Sequence, residues 1–349
     1  MKKRLILFLF CLFVYGYLYS EEMRTNMKDN VNSPYGVLAF FAWDHEWNHN
    51  HYNEEKIKKA VSLMKEAGID WIRMDFLWGD VEPKRGVFNF EKYDRIVNIV
   101  RASNIHILGI LEYNPEWRKD KWNAAPWKDL YIIYASKVVQ HFKDRVKHWE
   151  VWNEPDDTTY WEPQDNMKTY SELLKDTYTV LKIIDPDCKI AMGGVAKTIV
   201  LSLKNIYKNI GKDYFDIVNI HPFINPLVKE RMVYLNGIYK GVRQMMKRFK
   251  DAHKEIWFTE IGSPGVKEPD PSNGWWHGLS PTEEEQARWV KEVYTNALKW
   301  KGVTKIFWAF FRDAQGHWNN GVDYFGLVTT DFKKKPAFDA YKEVTKRKK

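Results

Sequence analysis

Short apolar runs rich in β-branched and aromatic residues recur along the chain, with helically spaced stretches between them. Eight stand out: YGVLAFFAW (35–43), IDWIRMDFL (69–77), IHILGILEY (105–113), HWEVWNE (148–154), CKIAMGG (188–194), FDIVNIHPF (215–223), EIWFTEIG (255–262) and TKIFWAFFRD (304–313). Runs of this length and composition predict strands, and the stretches between them leave room for one helix each. Strands alternating with helices predict parallel βαβ units, and eight units predict a closed (β/α)8 barrel.

The intervening stretches carry helix punctuation. Asn53 precedes Glu54 and Glu55; Ile57, Ala60, Val61, Met64 and Ala67 follow on one face, and Gly68 ends the run. This is an N-cap, acids in the first turn, an apolar stripe and a left-handed terminator. Ser280-Pro281-Thr282-Glu283 reads as a capping box with proline at the first helical position, ahead of Ala287, Val290, Tyr294 and Ala297. Residues 155–168 and 263–279 form two long aromatic loops after the fourth and seventh strands.

Residues 1–20, MKKRLILFLFCLFVYGYLYS, break the pattern: a basic start and a short apolar run read as a signal peptide cleaved near Ser20. Residues 21–349 are then expected to form one barrel domain, secreted or periplasmic and off the membrane once cleaved. A barrel of about 250 residues with insertions fits in 349. Seven of the net +8 charges lie at the ends, in Lys2, Lys3, Arg4, Lys346, Arg347, Lys348 and Lys349, so the body is nearly neutral and nucleic acid is not an expected partner. Beyond the signal, Cys188 is the single cysteine, which excludes a disulfide framework. Seventeen tryptophans suit an aromatic core, platforms for sugar rings, or both.

The chemistry of such a barrel sits at the C-terminal ends of its strands. Glu154 closes the fourth run and Glu260 stands near the end of the seventh. Two carboxylates facing each other across a barrel mouth suit glycoside hydrolysis, one donating a proton and the other attacking or activating water. Their environments must differ: apolar surroundings keep an acid protonated, and a cation keeps a nucleophile ionised. Trp152 and Asn153 suit the first role; Arg73 can supply the second. Glu112, near the end of the third run, is a competing acid. Glu150 shares strand parity with Glu154 and reads as a buried acid paired with a base.

These stretches resemble clan A glycoside hydrolases. W-N-E-P after strand 4 and T-E-x-G after strand 7 look like that clan's signature, 106 residues apart. "WIRMDFLWGDVEPKRGVFNFEKYDRIV" (71–97) resembles its strand-2 segment, "FDIVNIHPF" its strand 6 and Trp308 its strand-8 tryptophan. "WEVWNEPDDTTYW" with the strand-6 histidine is most similar to glycoside hydrolase family 39 and its single-barrel bacterial endoglycosidase relatives. The resemblance covers about residues 35–345.

It implies Glu154 as general acid/base, Glu260 as nucleophile and net retention. It also implies Asn153 on the sugar 2-hydroxyl, Arg73 holding Glu260 ionised and His221 lining the −1 subsite. Trp308 would be the floor of that subsite, through a cis peptide to Ala309. In one departure, Phe223 stands where the clan often has a tyrosine that donates to the nucleophile. In another, family 39 β-xylosidases carry an added β-sandwich for which this chain has no room, which favours an open cleft and endo action.

Other stretches have weaker claims. His45, Glu46, His49 and His51 follow the first run at a spacing that fits no zinc pattern, so no metal site is expected; His45 or Trp47 could touch sugar. Trp78, Trp117, Trp161, Trp275 and Trp276 lie near or beyond strand ends, as sugar platforms or as loop packing. The expectation is a monomeric, cofactor-free retaining β-glycosidase acting on a β-linked poly- or oligosaccharide, xylan-like or a bacterial exopolysaccharide. A glycan-binding barrel without activity and a transglycosylase are the alternatives.

Overall fold

The computed structural model describes residues 30–45, 51–269, 280–314, 316–318 and 321–346. The signal segment therefore lies outside the described residues. Eight parallel strands close into a barrel in chain order: β1 (Tyr35–Leu38), β2 (Trp71–Leu77), β3 (His106–Glu112), β4 (His148–Val151), β5 (Lys189–Met192), β6 (Ile217–Ile220), β7 (Glu255–Ile261) and β8 (Val303–Trp308). The helices among the described residues are α1 (Glu54–Ala67), α2 (Trp78–Val81), α3 (Glu91–Ala102), α4 (Lys128–Phe142), α5 (Lys168–Ile184), α6 (Ile199–Ile210), α7 (Arg231–Arg248), α8 (Glu283–Ala297) and α9 (Pro336–Lys346). The (β/α)8 barrel read from the alternation is the fold observed.

Local signals explain where elements stop. Asn53 accepts a hydrogen bond from Lys56 N at 2.9 Å and caps α1, while Gly68 takes φ 75° at its far end. Most strands are shorter than their apolar runs. After β4 the chain turns left-handed at Trp152 (φ 65°) and again at Glu154 (φ 42°), so Glu154 lies beyond the strand instead of ending it. Such backbone is costly for residues other than glycine and persists where the surroundings enforce it. The capping box of α8 is shifted from the sequence expectation: Thr282, not Ser280, is the cap. Thr282 Oγ1 accepts from Glu285 N at 3.2 Å, and Glu285 Oε2 accepts from Thr282 N at 2.8 Å. Proline at 281 disfavours helical backbone at Ser280, the residue before it, and the reciprocal pair falls two residues later.

The barrel interior is layered. Trp71, Leu108, Ala191, Ile217, Trp257 and Phe307 pack together as an apolar plug. Arg73, Asn219 and Thr259 lie next along β2, β6 and β7, with Glu150 on β4, all fully or almost fully buried. On β7 the pairing with β8 slips between Phe258 and Ile261. In a regular pleat, successive side chains point to opposite faces. The irregularity lets both Thr259 and Glu260 reach groups inside the barrel.

Replacing Thr282 by alanine removes one half of the capping pair. The expected cost is about 1 kcal/mol of stability, read as a lower urea midpoint with an unchanged slope.

Candidate active site

Arg73 organises the mouth of the barrel. Its Nε donates to Glu150 Oε2 at 2.7 Å, Nη2 to Glu150 Oε1 at 2.9 Å and to Asn153 Oδ1 at 2.8 Å, and Nη1 to Glu260 Oε1 at 2.5 Å. Guanidinium geometry makes this possible, because its planar fork serves several acceptors at once. Glu150 is the buried acid paired with a base that strand parity suggests. It also accepts from Gly194 N at 3.0 Å. Asn153 is fixed from its other end, donating to Tyr113 Oη at 3.1 Å.

Glu154 sits opposite. One oxygen of Glu154, one of Glu260 and one ring nitrogen of His221 lie within 4.8 Å of one another. Glu154 Oε1 faces His221 Nδ1 at 2.8 Å. Burial, with Asp157 and Asp156 adding negative charge nearby, pushes the Glu154 carboxyl up to about 8. Burial also pushes Glu260 up, but the Arg73 guanidinium in direct contact opposes the rise. His221 is wholly buried, and desolvation holds its ring down at about 4, neutral at neutral pH. A carboxyl pushed up to about 8 and a guanidinium-bound carboxyl thus share one opening.

The loop after β4 is pinned to hold this pose. Asp156 accepts from Ala196 N at 2.9 Å, Thr198 N at 2.8 Å and Ser202 Oγ at 3.1 Å, tying the loop to the start of α6. Trp152 Nε1 donates to Tyr160 O at 2.8 Å. Phe223, where a tyrosine was expected, packs beside Phe325 with ring centroids 6.1 Å apart, in an apolar cluster with Leu38, Ala309 and Phe310. The donor to Glu260 is Arg73.

Several sequence candidates are placed elsewhere. Trp308 is fully buried and donates its indole N–H to Phe325 O at 2.9 Å, so it lines the core and not the floor of the opening. The cis peptide joins Ala309 to Phe310, one residue later than expected. Trp78 is buried, stacked on Tyr134 and hydrogen-bonded to Glu82 Oε2 at 2.6 Å. Trp161 is buried edge-on against Trp152. Both are packing residues because their loops fold inward over α4 and α5.

Trp117 is half-buried and donates to Glu82 O at 2.7 Å. Glu112 is buried against Asp75, and burial together with that neighbour pushes its carboxyl up. His45 is tied to Asp80 at 3.0 Å, and Asp80 also receives Lys92 Nζ at 2.7 Å. Trp276, Trp275, Trp47, Glu46 and His49 lie outside the described residues.

Residues not singled out from the sequence also take part. Thr259 and Asn219 extend the contacts of His221 into the barrel. Strand alternation could have found Asn219, two positions before His221 on the same face. Tyr113 and Tyr160 stand beside the half-exposed Trp122, whose ring meets Tyr113 edge-on at 5.0 Å.

The chain is similar in parts of its sequence, and in fold, to known proteins. A family model described as "Glycosyl hydrolase catalytic core" matches residues 122–329, and one described as "Beta-galactosidase" matches residues 46–122. Beta-glucosidase 34 of Oryza sativa subsp. japonica is 30% identical over 111 residues, 29% of this chain and 21% of that protein. Endo-1,4-beta-xylanase A of Phanerodontia chrysosporium is 32% identical over 83 residues, 22% of this chain and 20% of that protein. The matches thus span about a fifth of the length of these curated relatives.

Among solved structures, a family 39 glycoside hydrolase from Bacteroides cellulosilyticus WH2 superposes with a TM-score of 0.72 at 21% identity, over 89% of this chain and 63% of that one. A family 39 beta-xylosidase from Caulobacter crescentus gives 0.69 at 20% identity, over 91% and 72%. At these identities the structures speak for the fold. The family models bear out the glycoside hydrolase part of the resemblance.

A carbon-detected titration of the side-chain carboxyls tests the electrostatics directly. Glu154 is expected to lose its proton near 8. Asp157→Asn should move that value down by removing a nearby negative charge, leaving the larger effect of burial in place.

Proposed function

The chain belongs to the glycosyl hydrolase catalytic core family, and from that premise we propose that it is a retaining β-glycosidase acting by double displacement. One observation carries the reading: two carboxyls within 4.8 Å at their near atoms, one held protonated by burial and one held by a guanidinium. Retaining enzymes place their carboxyls about 5–5.5 Å apart, and inverting enzymes about 6.5–9.5 Å apart to admit a water. The close approach of Glu154 and Glu260 supports retention.

In the first step a Glu260 oxygen bonds to the anomeric carbon. The bond from that carbon to the leaving oxygen breaks, and that oxygen takes the Glu154 proton. In the second step water bonds to the anomeric carbon from the same face as the departed group. Its proton passes to the Glu154 carboxylate, and the bond to Glu260 breaks. Asn153, fixed between Arg73 and Tyr113, is placed to hold the sugar hydroxyl next to the anomeric carbon. His221 borders the same subsite. No cofactor enters either step.

The substrate in this reading is a β-linked poly- or oligosaccharide, cut endo-wise. The half-exposed Trp122 beside Tyr113 and Tyr160 supports room for a further sugar ring at the rim. Export belongs to the same proposal and rests on the basic and apolar character of residues 2–19.

The test is hydrolysis of a panel of β-linked polysaccharides and aryl β-glycosides by wild type, Glu154→Gln and Glu260→Gln. Each variant should lose at least about 10²- to 10⁴-fold in kcat/KM on the sugar that wild type cleaves. Full activity in either would remove that residue from the mechanism. The acid form of Glu154 is lost as pH rises through about 8, so kcat/KM should fall above that pH.

A further inference from the structure

His221 links the two halves of the site to a pair of residues that touch no reacting atom. Its Nδ1 faces Glu154 Oε1 at 2.8 Å, and its Nε2 faces Thr259 Oγ1 at 2.9 Å. Thr259 Oγ1 donates to Asn219 Oδ1 at 2.7 Å. All three of His221, Asn219 and Thr259 are fully buried. A hydroxyl has one proton to give. The Asn219 amide is oriented with its oxygen toward Thr259 and its Nδ2 without a partner among the described residues; in that orientation Thr259 gives its proton to Asn219, so toward the imidazole it can offer only a lone pair. The hydrogen between Thr259 and His221 must then belong to Nε2. A neutral imidazole carries one ring proton, so Nδ1 is left as an acceptor.

We propose that Thr259 and Asn219 are positioning residues that fix His221 as its Nε2–H tautomer, so that the Nδ1 lone pair holds the proton of Glu154. This rests on the reading of Glu154 as the general acid/base. The consequence has two parts. In the resting site, the lone pair favours the acid form, the form the first step consumes. The terminal torsion of a glutamate is soft, so the same proton turns to the leaving oxygen with no change elsewhere. Once the proton is gone, a carboxylate oxygen faces a lone pair, which raises its appetite for the water proton in the second step. Backbone geometry serves the same end. A side chain at Gly194 would place its Cβ 2.0 Å from His221 Nε2, so glycine there leaves the ring its place.

Other charges surround the pair, and the relay is separable from them. Asp156, Asp157 and Tyr160 face Glu154 from its own loop, Arg73 from β2, Lys197 from the loop after β5, and Glu260 from β7. Glu260, Arg73, Glu150 and Asp156 face His221. Thr259 and Asn219 carry no charge. Replacing them leaves every charge in place and removes only the direction of the hydrogen bonds.

The test compares wild type, Thr259→Val and Thr259→Ser as full chains, with the imidazole nitrogens ¹⁵N-labelled. Wild type should show Nε2 protonated and Nδ1 accepting. Valine keeps the shape but offers no acceptor to Nε2. The proton should move to Nδ1, where it donates to Glu154 and favours the carboxylate, and the basic limb of kcat/KM should shift to lower pH by about one unit or more. Serine should restore both readouts. If the valine variant fails to fold, Asn219→Leu makes the same test, because it frees the Thr259 hydroxyl to donate to Nε2.

A wild-type ring protonated on Nδ1 overturns the proposal, as does a Thr259→Val ring whose proton stays on Nε2. The ring spectrum needs no substrate. A protein that hydrolyses nothing would thus count against the enzymatic reading, and the ring proton would still decide the relay.

Discussion

A single buried guanidinium holds the site together. Arg73 divides its donors among Glu150, Asn153 and Glu260, contributed by β4, the turn after it and β7. A buried cation without partners is very costly, and so is each buried carboxylate. The group is therefore stable only when complete. That requirement fixes the position of Glu260 relative to the turn carrying Asn153 and Glu154. The strained left-handed backbone at Trp152 and Glu154, the slipped pairing in β7 and the glycine at 194 are all arrangements that this network enforces or needs.

The same economy of cations separates the two carboxyls. Arg73 is the cation in direct hydrogen-bond contact with either of them, and it touches Glu260 alone. Glu154 meets instead a neutral imidazole, two aspartates further along its own loop, and burial. In the proposed mechanism, two residues of one type take opposite duties from their surroundings, as acid/base chemistry at neutral pH requires. Phe223 packs against an apolar cluster of Leu38, Ala309, Phe310 and Phe325, which brings no charge of its own.

Much of this was legible in the sequence, for physical reasons. Strand runs and helix caps are local signals, so β1–β8 and the Asn53 and Gly68 ends of α1 could be read directly. Glu154 and Glu260 stood out because matched strand-end positions carried them. What failed depends on contacts between distant segments. The resemblance implied Trp308 as a subsite floor, and Trp78 and Trp161, near or beyond strand ends, stood open between sugar platform and loop packing; which face of a loop turns inward is a tertiary matter. The α8 cap moved from Ser280 to Thr282 because two overlapping capping patterns compete, and the reciprocal one wins. Thr259 escaped notice because a regular pleat would not let it and Glu260 both point inward. Only the slip in β7 makes that possible.

The proposed mechanism requires Glu260 to become covalently bonded to the sugar. The most direct measurement is inactivation with an activated 2-deoxy-2-fluoro β-glycoside of the sugar that the protein cleaves, followed by peptide mapping of the trapped adduct. The account requires stoichiometric labelling of Glu260, with the adduct slowly released by water or by an added sugar acceptor. A label on Glu154 or Glu112, or turnover that proceeds with no trapped adduct and inverts the anomeric centre, would contradict it.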